Sequence, residues 1–429
     1  MNAERYTLPA ALDIGNGTIR VLIAEALADG SLVVLGVGEE QSAGMEEGRI
    51  INLHQATEAL KRALRTAEID SGRKIEQVLV GISGEYIKSC ANEGKAVVRN
   101  SKAVAGGGEE GRYHVAGGVV EKGDIDKVRE MVVAAASAGE IEILDIIEKT
   151  YSLDRQLNIR NPLGMNGKLL TGSMHAIVAE RQSLENVETC INQAGITLAD
   201  KVVFSGLAAA QAVLNEEEKR LGVCLLDIGA HTTEMVIFCN GGVYETDVYL
   251  EAGNLIHMDI STVHHTTLSS AEQCKKQAGV LVPPVGNEML PLVSTSGEEM
   301  NIGHSLVLRT ITSRVEELLN CVDNTLRNFE KKEARKLTAG IVLTGGGALL
   351  PGLIPMMTNR LHIPVRIGAP TYNGEKRERL KAPQFSVALG LLMIGCERAQ
   401  ANYKLPWMTR ATHFFFNSFH IKEKKHGQH

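Results

Sequence analysis

Residues 11–25 read Ala11-Leu12-Asp13-Ile14-Gly15-Asn16-Gly17-Thr18-Ile19-Arg20-Val21-Leu22-Ile23-Ala24-Glu25. Two apolar runs, 10–12 and 19–24, flank a short turn built from an acid, two glycines and a threonine, which is the pattern of a β-hairpin. Gly15 and Gly17, with Asn16 between them, let the backbone take positive φ and bring its N–H groups close to an anion. Thr18 can donate its hydroxyl to the same anion. Asp13 is placed to face a phosphate-bound Mg²⁺, directly or through water, because Mg²⁺ favours oxygen ligands and keeps several waters. A dinucleotide-binding fingerprint is excluded: the third glycine is missing and the turn runs into a strand rather than a helix. Taken alone, the stretch also fits an ordinary hairpin.

The design recurs about half a chain later as Leu225-Leu-Asp227-Ile-Gly229-Ala230-His231-Thr232-Thr233-Glu-Met235-Val-Ile-Phe238. An internal repeat at this spacing predicts two similar domains. A third element, Ile341-Val-Leu-Thr-Gly345-Gly346-Gly347-Ala-Leu-Leu-Pro-Gly352, reads as a buried strand ending in a glycine turn that opens a helix, a place where backbone approaches a ligand closely. Two phosphate hairpins followed by a late glycine turn resemble the actin and sugar-kinase ATPase superfamily. The expected fold is therefore α/β and actin-like: two ribonuclease-H-like halves around a nucleotide cleft.

The bounds agree. The chain has 429 residues, 44% hydrophobic, with a formal net charge of −6, which predicts a globular chain of two or more domains and argues against a general nucleic-acid binder. Seven cysteines form no C-x-x-C pair, so neither a metal nor a disulfide framework is expected. The first residues lack a basic-then-apolar signal and no apolar run reaches spanning length, giving the cytosol as the expected compartment.

The residues between the motifs narrow the resemblance to one family. Ser42-x-Gly44-Met45-x-x-Gly48, Ile82-Ser-Gly84-x-x-Ile87-x-Ser89 and Asn161-Pro162-x-Gly164-Met165 together resemble the FtsA family of bacterial actin-like cell-division proteins, over about 10–396. The resemblance implies subdomain 1A at 1–83 and 172–203, an inserted subdomain 1C at 84–171, 2A at 204–245 and 320–396, and 2B at 246–319. A linker at 397–405 would lead to an amphipathic helix at 406–425. Within this frame a helix capped by Asn52 is expected from 53 to 67. Further expectations are a helix at 124–138 capped by Asp124, a strand at 173–179, and a flexible glycine-rich insertion at 103–118. By the same resemblance, ATP and Mg²⁺ would be held by Asp13, Gly15, Asn16, Gly17, Thr18, Asp227, Gly229, Thr232, Thr233, Gly253, Glu272, Lys275, Gly345, Gly346 and Gly347, with Asp13 and Asp227 on the metal. Glu272 and Lys275 stand at i and i+3 on one helix face; a solvated ion pair has the same spacing.

Two departures bear on turnover. Many relatives in the superfamily start the crossover helix with Glu-Pro; this chain has Ser205-Gly206, removing one group for orienting a nucleophile. Related second phosphate loops often read Gly-Gly-Gly-Thr, where this chain has Gly229-Ala230-His231-Thr232. His231 either donates to a phosphate or points away to solvent.

The implied partners are the C-terminal tail of the tubulin-like protein FtsZ, received near Arg309, Arg314 and Glu317; further copies of the chain in filaments; later division proteins through 1C; and an anionic membrane. A solvated charged helix face accounts equally well for the first three residues. Membrane contact falls to the chain end, where Trp407, Met408, Phe414, Phe415 and Phe419 share one helical face, opposite Arg410, His413, His420 and Lys424. Aromatic residues opposite basic ones mark a helix lying in the membrane interface. Together with the resemblance, this implies a place on the cytoplasmic face of the cell membrane at the division site. Two rivals remain open: an FtsA-like pilus-assembly adaptor of the PilM type, which generally lacks such a helix, and a small-molecule kinase, for which no glycine-x-Asp loop stands between the halves.

Overall fold

The computed structural model describes residues 5–27, 29–99, 117–137, 139–280 and 288–403. The expected membrane helix, with Trp407, Met408, Phe414, Phe415 and Phe419, lies outside them, as does most of the glycine-rich stretch.

The first hairpin is present as β1 (Ala10–Ile14) and β2 (Thr18–Leu27), paired antiparallel with Asp13 opposite Arg20. β3 (Leu32–Gln41) adds antiparallel to β2, and β4 (Gln77–Ile82) adds parallel to β1. α1 (Leu53–Ser71) connects them; Asn52 caps it by accepting from the Gln55 N–H at 3.1 Å.

An inserted unit follows. Its sheet runs β7–β6–β8–β5, from β5 (Ile87–Val97), β6 (Ile141–Leu153), β7 (Gln156–Ile159) and β8 (Leu169–Glu180). α2 (Lys122–Ala136) covers it, and Val98, Val128, Val132, Leu170 and Met174 belong to a core separate from the rest. The entering and leaving strands pair, Ile87 opposite Ala179, and the Glu180 N–H donates to the Tyr86 carbonyl at 3.2 Å. Two expectations change. The strand expected at 173–179 begins at Leu169 and lies in this sheet, so the boundary at 172 falls inside a strand. α2 is capped by Glu121; Asp124 is the third helical residue, and its carboxylate accepts from the Glu121 N–H at 3.2 Å.

α3 (Arg181–Gln193) and the crossover helix α4 (Ser205–Val213) lead to the second half. Its sheet uses β9 (Val223–Ile228), β10 (Thr233–Cys239), β11 (Gly242–Tyr249), β12 (Gly340–Thr344) and β13 (Val365–Ile367), in the order β11–β10–β9–β12–β13. This repeats the first half: an antiparallel three-strand meander, then parallel strands. α5 (Gly253–His264), α6 (Leu268–Ala278) and α7 (His304–Glu333) flank it, and α8 (Leu353–Leu361) follows β12. Every residue of β9 is buried, and its side chains alternate as strand geometry requires. Val223 and Leu225 join the core shared with the first half; Cys224, Leu226 and Ile228 join the core under α6 and α7.

α9 (Ser386–Tyr403) closes the fold against α4. It overturns the linker expected from 397: the helix continues to Tyr403, the Gln211 amide donates to Glu397 at 2.6 Å, and Arg398 reaches Asp200 at 2.7 Å. Gly390 makes the crossing possible, because a Cβ there would stand 1.7 Å from the Ala208 carbonyl oxygen. Gly390→Ala should therefore destabilise the fold by about 1–3 kcal/mol or more, as overpacking does. Gly123→Ala, in the first turn of α2 with nothing within 4 Å of the new methyl, should not. Urea unfolding of both variants checks the contrast.

Candidate nucleotide cleft

The two Asp-Ile-Gly turns meet at the floor of a cleft of about 1110 Å³ between the halves. Its walls include Asp13, Gly15, Asn16, Gly17, Thr18, Asp227, Gly229, Thr232, Gly253, Glu272, Lys275, Gly345, Gly346 and Gly347. The structure thus gathers all but one of the expected nucleotide residues, from positions more than 300 residues apart in sequence, on one surface. The exception is Thr233: fully buried, its hydroxyl donates to the Glu251 carbonyl at 2.7 Å, bracing the strand behind the turn.

Close backbone approach explains the glycines. The turns come so near that a Cβ on Gly17 would stand 2.9 Å from the Ala230 methyl. The Gly229 N–H closes its turn on the Thr232 carbonyl at 2.9 Å, and the Gly253 N–H, at the start of α5, donates to the Gly229 carbonyl at 3.2 Å. Gly345 has φ +78°, and a Cβ there would overlap Asp227 Oδ1. Gly346 differs: a side chain there would meet no protein atom within 4 Å and would enter the cleft.

The floor is acidic, and its carboxylates are buried. Asp13 is pushed up to about 6 by burial, against the lowering pull of Arg20 at 3.9 Å. Asp227 is raised well above the usual carboxylate range by burial, then by Glu234 and Asp13. Glu234 rises to about 7, burial outweighing hydrogen bonds from Ser83 and Thr232. Among the described residues no three His, Cys, Asp or Glu side chains gather closely enough to hold a metal. A Mg²⁺ that takes only one or two carboxylates and completes its shell with phosphate oxygens and water is compatible with that spacing. Glu234 and Ser83 are the residues sequence reasoning missed. The Ser83 hydroxyl bonds Glu234 and lies 3.2 Å from Thr232 Oγ1, tying β4 of one half to β10 of the other. A lone carboxylate in the apolar run of β10 was the available signal.

On the wall formed by α5 and α6, burial alone would raise Glu272, yet hydrogen bonds from His257 and Lys275 and the Lys275 charge hold it down to about 2. Lys276 also reaches it, at 3.1 Å. Lys275 spans from Glu272 to the Gly253 carbonyl at 3.0 Å, so the pair forms part of the cleft wall rather than a solvated face. His231 takes neither orientation expected of it. Half-buried and not itself part of the lining, its Nε2 meets the amide of Asn254 on α5, a residue that does line the cleft. Asn16 also acts outward: its Oδ1 accepts from the Gly48 N–H at 2.9 Å, while the neighbouring Arg49 holds Glu180, at the exit of the insert, through contacts of 2.6 and 2.9 Å.

Arg309, Arg314 and Glu317 of the expected partner trio all lie on α7. Arg309 is exposed. Arg314 is committed to Asp259 of α5 and, at 2.7 Å, to Glu317, and it lines the cleft.

Paired turns at the floor of an inter-half cleft, on two sheets of the same order, define an actin-like nucleotide-cleft protein. Solved structures agree on the fold. The PilM–PilN type IV pilus biogenesis complex superposes with a TM-score of 0.64 at 17% identity, covering 90% of this chain and 98% of that one. MreB5 of Spiroplasma citri bound to ADP gives 0.50 at 14% identity, covering 93% and 98%. Sequence comparison is more specific. The family described as "Cell division protein FtsA" matches residues 224–390, and "SHS2 domain inserted in FTSA" matches 102–178. The chain is 32% identical over 408 residues to the cell division protein FtsA of Neisseria meningitidis serogroup B, covering 92% of this chain and 91% of that protein. Against the Escherichia coli K12 protein of the same name it is 31% identical over 405 residues, 92% of each chain. The chain belongs to the FtsA family of cell division proteins.

Two measurements test the cleft. Gly346→Val should weaken ATP binding at least about tenfold, or 1.4 kcal/mol, in calorimetric titration, with the unfolding midpoint unchanged. The carboxylate floor sets a pH dependence. Its folded-state values exceed the unfolded ones, so the protonated forms favour the fold, and this stabilisation is lost as pH rises from about 4 through about 6–7. Thermal unfolding of the ligand-free chain should show that loss. Stabilisation by Mg²⁺·ATP should grow over the same interval, and Asp227→Asn should reduce both effects, leaving the part due to Asp13 and Glu234.

Proposed function

We propose that this FtsA-family chain binds ATP with Mg²⁺ between its halves, assembles into filaments, and tethers FtsZ to the cytoplasmic face of the cell membrane at the division site. The observation that carries the nucleotide part is the floor where two glycine turns and three buried carboxylates converge. Such carboxylates, raised by burial, are stabilised in their charged form by a cation and its phosphate. ATP acts chiefly as a structural ligand that closes the cleft, since closure needs only unequal affinity for open and closed forms. Turnover is slow, because Ser205 and Gly206 supply no carboxylate and Glu234 is engaged by Ser83 and Thr232. A steady-state rate on the order of 10 per second would overturn this.

The inserted unit offers later division proteins a surface on a separately cored domain, and Arg309 with its 2B neighbours receives the FtsZ tail. Among the described residues no helix is long and apolar enough to cross a membrane. The attachment proposed is therefore the 406–425 segment, lying in the interface. At about 1.5–3 kcal/mol per large apolar side chain, its aromatic face gives modest binding for one copy, and filaments presenting many copies multiply it.

Co-sedimentation with anionic vesicles, ATP and the FtsZ tail peptide tests the whole reading. Truncation after Tyr403, which keeps α9 whole, or Trp407→Glu with Phe415→Glu, should leave the protein in the supernatant with its unfolding midpoint unchanged. Arg309→Ala should release the peptide alone. A truncated chain that still pellets with vesicles would remove the membrane role.

A further inference from the structure

Residues 42–50 form a small hairpin in which Met45 pairs with Ile50 and Glu46 with Arg49. Its two-residue tip, Glu47 and Gly48, takes φ +48° and +87°, as the tightest hairpin loops require. Glutamate is disfavoured in that region, so the contacts around it must hold it there. The root of the hairpin grips the first phosphate turn. The Ser42 N–H donates to the Gly17 carbonyl at 3.2 Å, and the Ser42 hydroxyl donates to the Gly15 carbonyl. The tip returns to the same turn, where the Gly48 N–H donates to Asn16 Oδ1 at 2.9 Å.

The same hairpin lies against both chain crossings into the insert. A Cβ on Gly48 would stand 2.2 Å from Gly84 Cα and from the Ser83 carbonyl oxygen, and the Glu85 N–H donates to the Glu47 carbonyl at 3.4 Å. Tyr86, the residue before β5, is buried, with the Arg49 guanidinium 5.3 Å from its ring centroid. Arg49 then forks Glu180, the last residue of β8, at 2.6 and 2.9 Å, and donates to Ser183 Oγ at 2.9 Å. The fork holds the Glu180 carboxyl below its usual range. Both side chains are partly exposed, at 36% and 51%, so the pair adds little stability of its own. What it supplies is orientation, because a planar guanidinium meets a carboxylate in a fixed geometry.

We propose that hairpin 42–50 couples the first phosphate turn to the seating of the insert: phosphate held by the turn steadies the base of the insert, and the Arg49–Glu180 fork steadies the turn. The inference rests on the cleft reading, since the ligand at the turn is the phosphate of the nucleotide. One short element makes both sets of contacts, so restraining it at either end lowers the entropy lost on ordering it at the other. Such a coupling is reciprocal. Loosening the fork must therefore weaken the hold on the nucleotide by the same factor as it frees the base.

Hydrogen exchange of the full chain, with and without saturating Mg²⁺·ATP, together with calorimetric titration of ATP, is the test. Mg²⁺·ATP should slow exchange at the turn and also at 86–89 and 177–181, by at least about threefold. In Arg49→Gln the slowing at the turn should remain and the slowing at the base of the insert should vanish. Arg49→Gln and Glu180→Gln should each weaken ATP binding about fivefold, the lower end of typical couplings. The double variant should bind no more weakly than Arg49→Gln alone, because both changes break one contact. Arg62→Gln, which removes an exposed pair with Glu40 at 3.0 Å, should move neither readout. A native chain that binds ATP while the base of its insert exchanges at an unchanged rate overturns the coupling alone. Additive losses in the double variant, or slowing at the base that persists in Arg49→Gln, do the same. A native chain that takes up no ATP overturns the cleft reading and the coupling with it.

Discussion

The architecture depends on one strand buried on both faces. β9 must satisfy two cores at once, and its alternating side chains do so only if sheets and helices surround it entirely. Its last residues, still buried, reach the junction with the first half. Asp227 is carried there, and Gly345 must lack a side chain because β12 ends alongside it. The first half reaches the same junction with β1 and Asp13. Two sheets of identical order, each ending a buried strand in Asp-Ile-Gly, leave their turns facing each other.

That geometry sets an electrostatic conflict. Asp13, Asp227 and Glu234 share a desolvated floor, and each is pushed towards its neutral form. A fold selected for stability alone would replace such groups with apolar ones. Here they leave the ligand-free state with an unmet demand for positive charge. The same floor is fastened on both sides, by Ser83 across the cleft and by Asn16 through Gly48 towards the insert, so charge at the floor is felt along both attachments.

What the sequence made legible was local. The hairpin turns, the Asn52 cap and the late glycine turn are each specified by residues within a few positions, and each stands where expected. Partners distant in the chain were not legible. Glu234 looked like one polar residue in a strand until Ser83, 151 positions away, supplied its hydrogen bond. Arg314 looked like a free basic residue because Asp259 is 55 positions earlier. The polar residues from Glu397 onward suggested a linker, yet Gln211 and Asp200 anchor Glu397 and Arg398 as half-buried positions of a helix. The strand from Leu169 was misassigned because its pairing with β5 spans the whole insert.

The pairing of Ile87 with Ala179 bears on how the chain reaches this state. The first sheet cannot be completed from contiguous sequence, since the strands Thr197–Leu198 and Val203–Phe204, which pair with β4, come after the insert. Left unstructured, the intervening segment would impose a loop-closure entropy on every contact across it, and that cost rises with loop length. Once β5 and β8 have zipped, residues 86 and 180 are neighbours, and the effective loop shrinks to a short turn. The insert's separate core lets this happen before the rest of the sheet exists. A closed insert thereby lowers the entropic cost of completing the first sheet from strands that stand on either side of it.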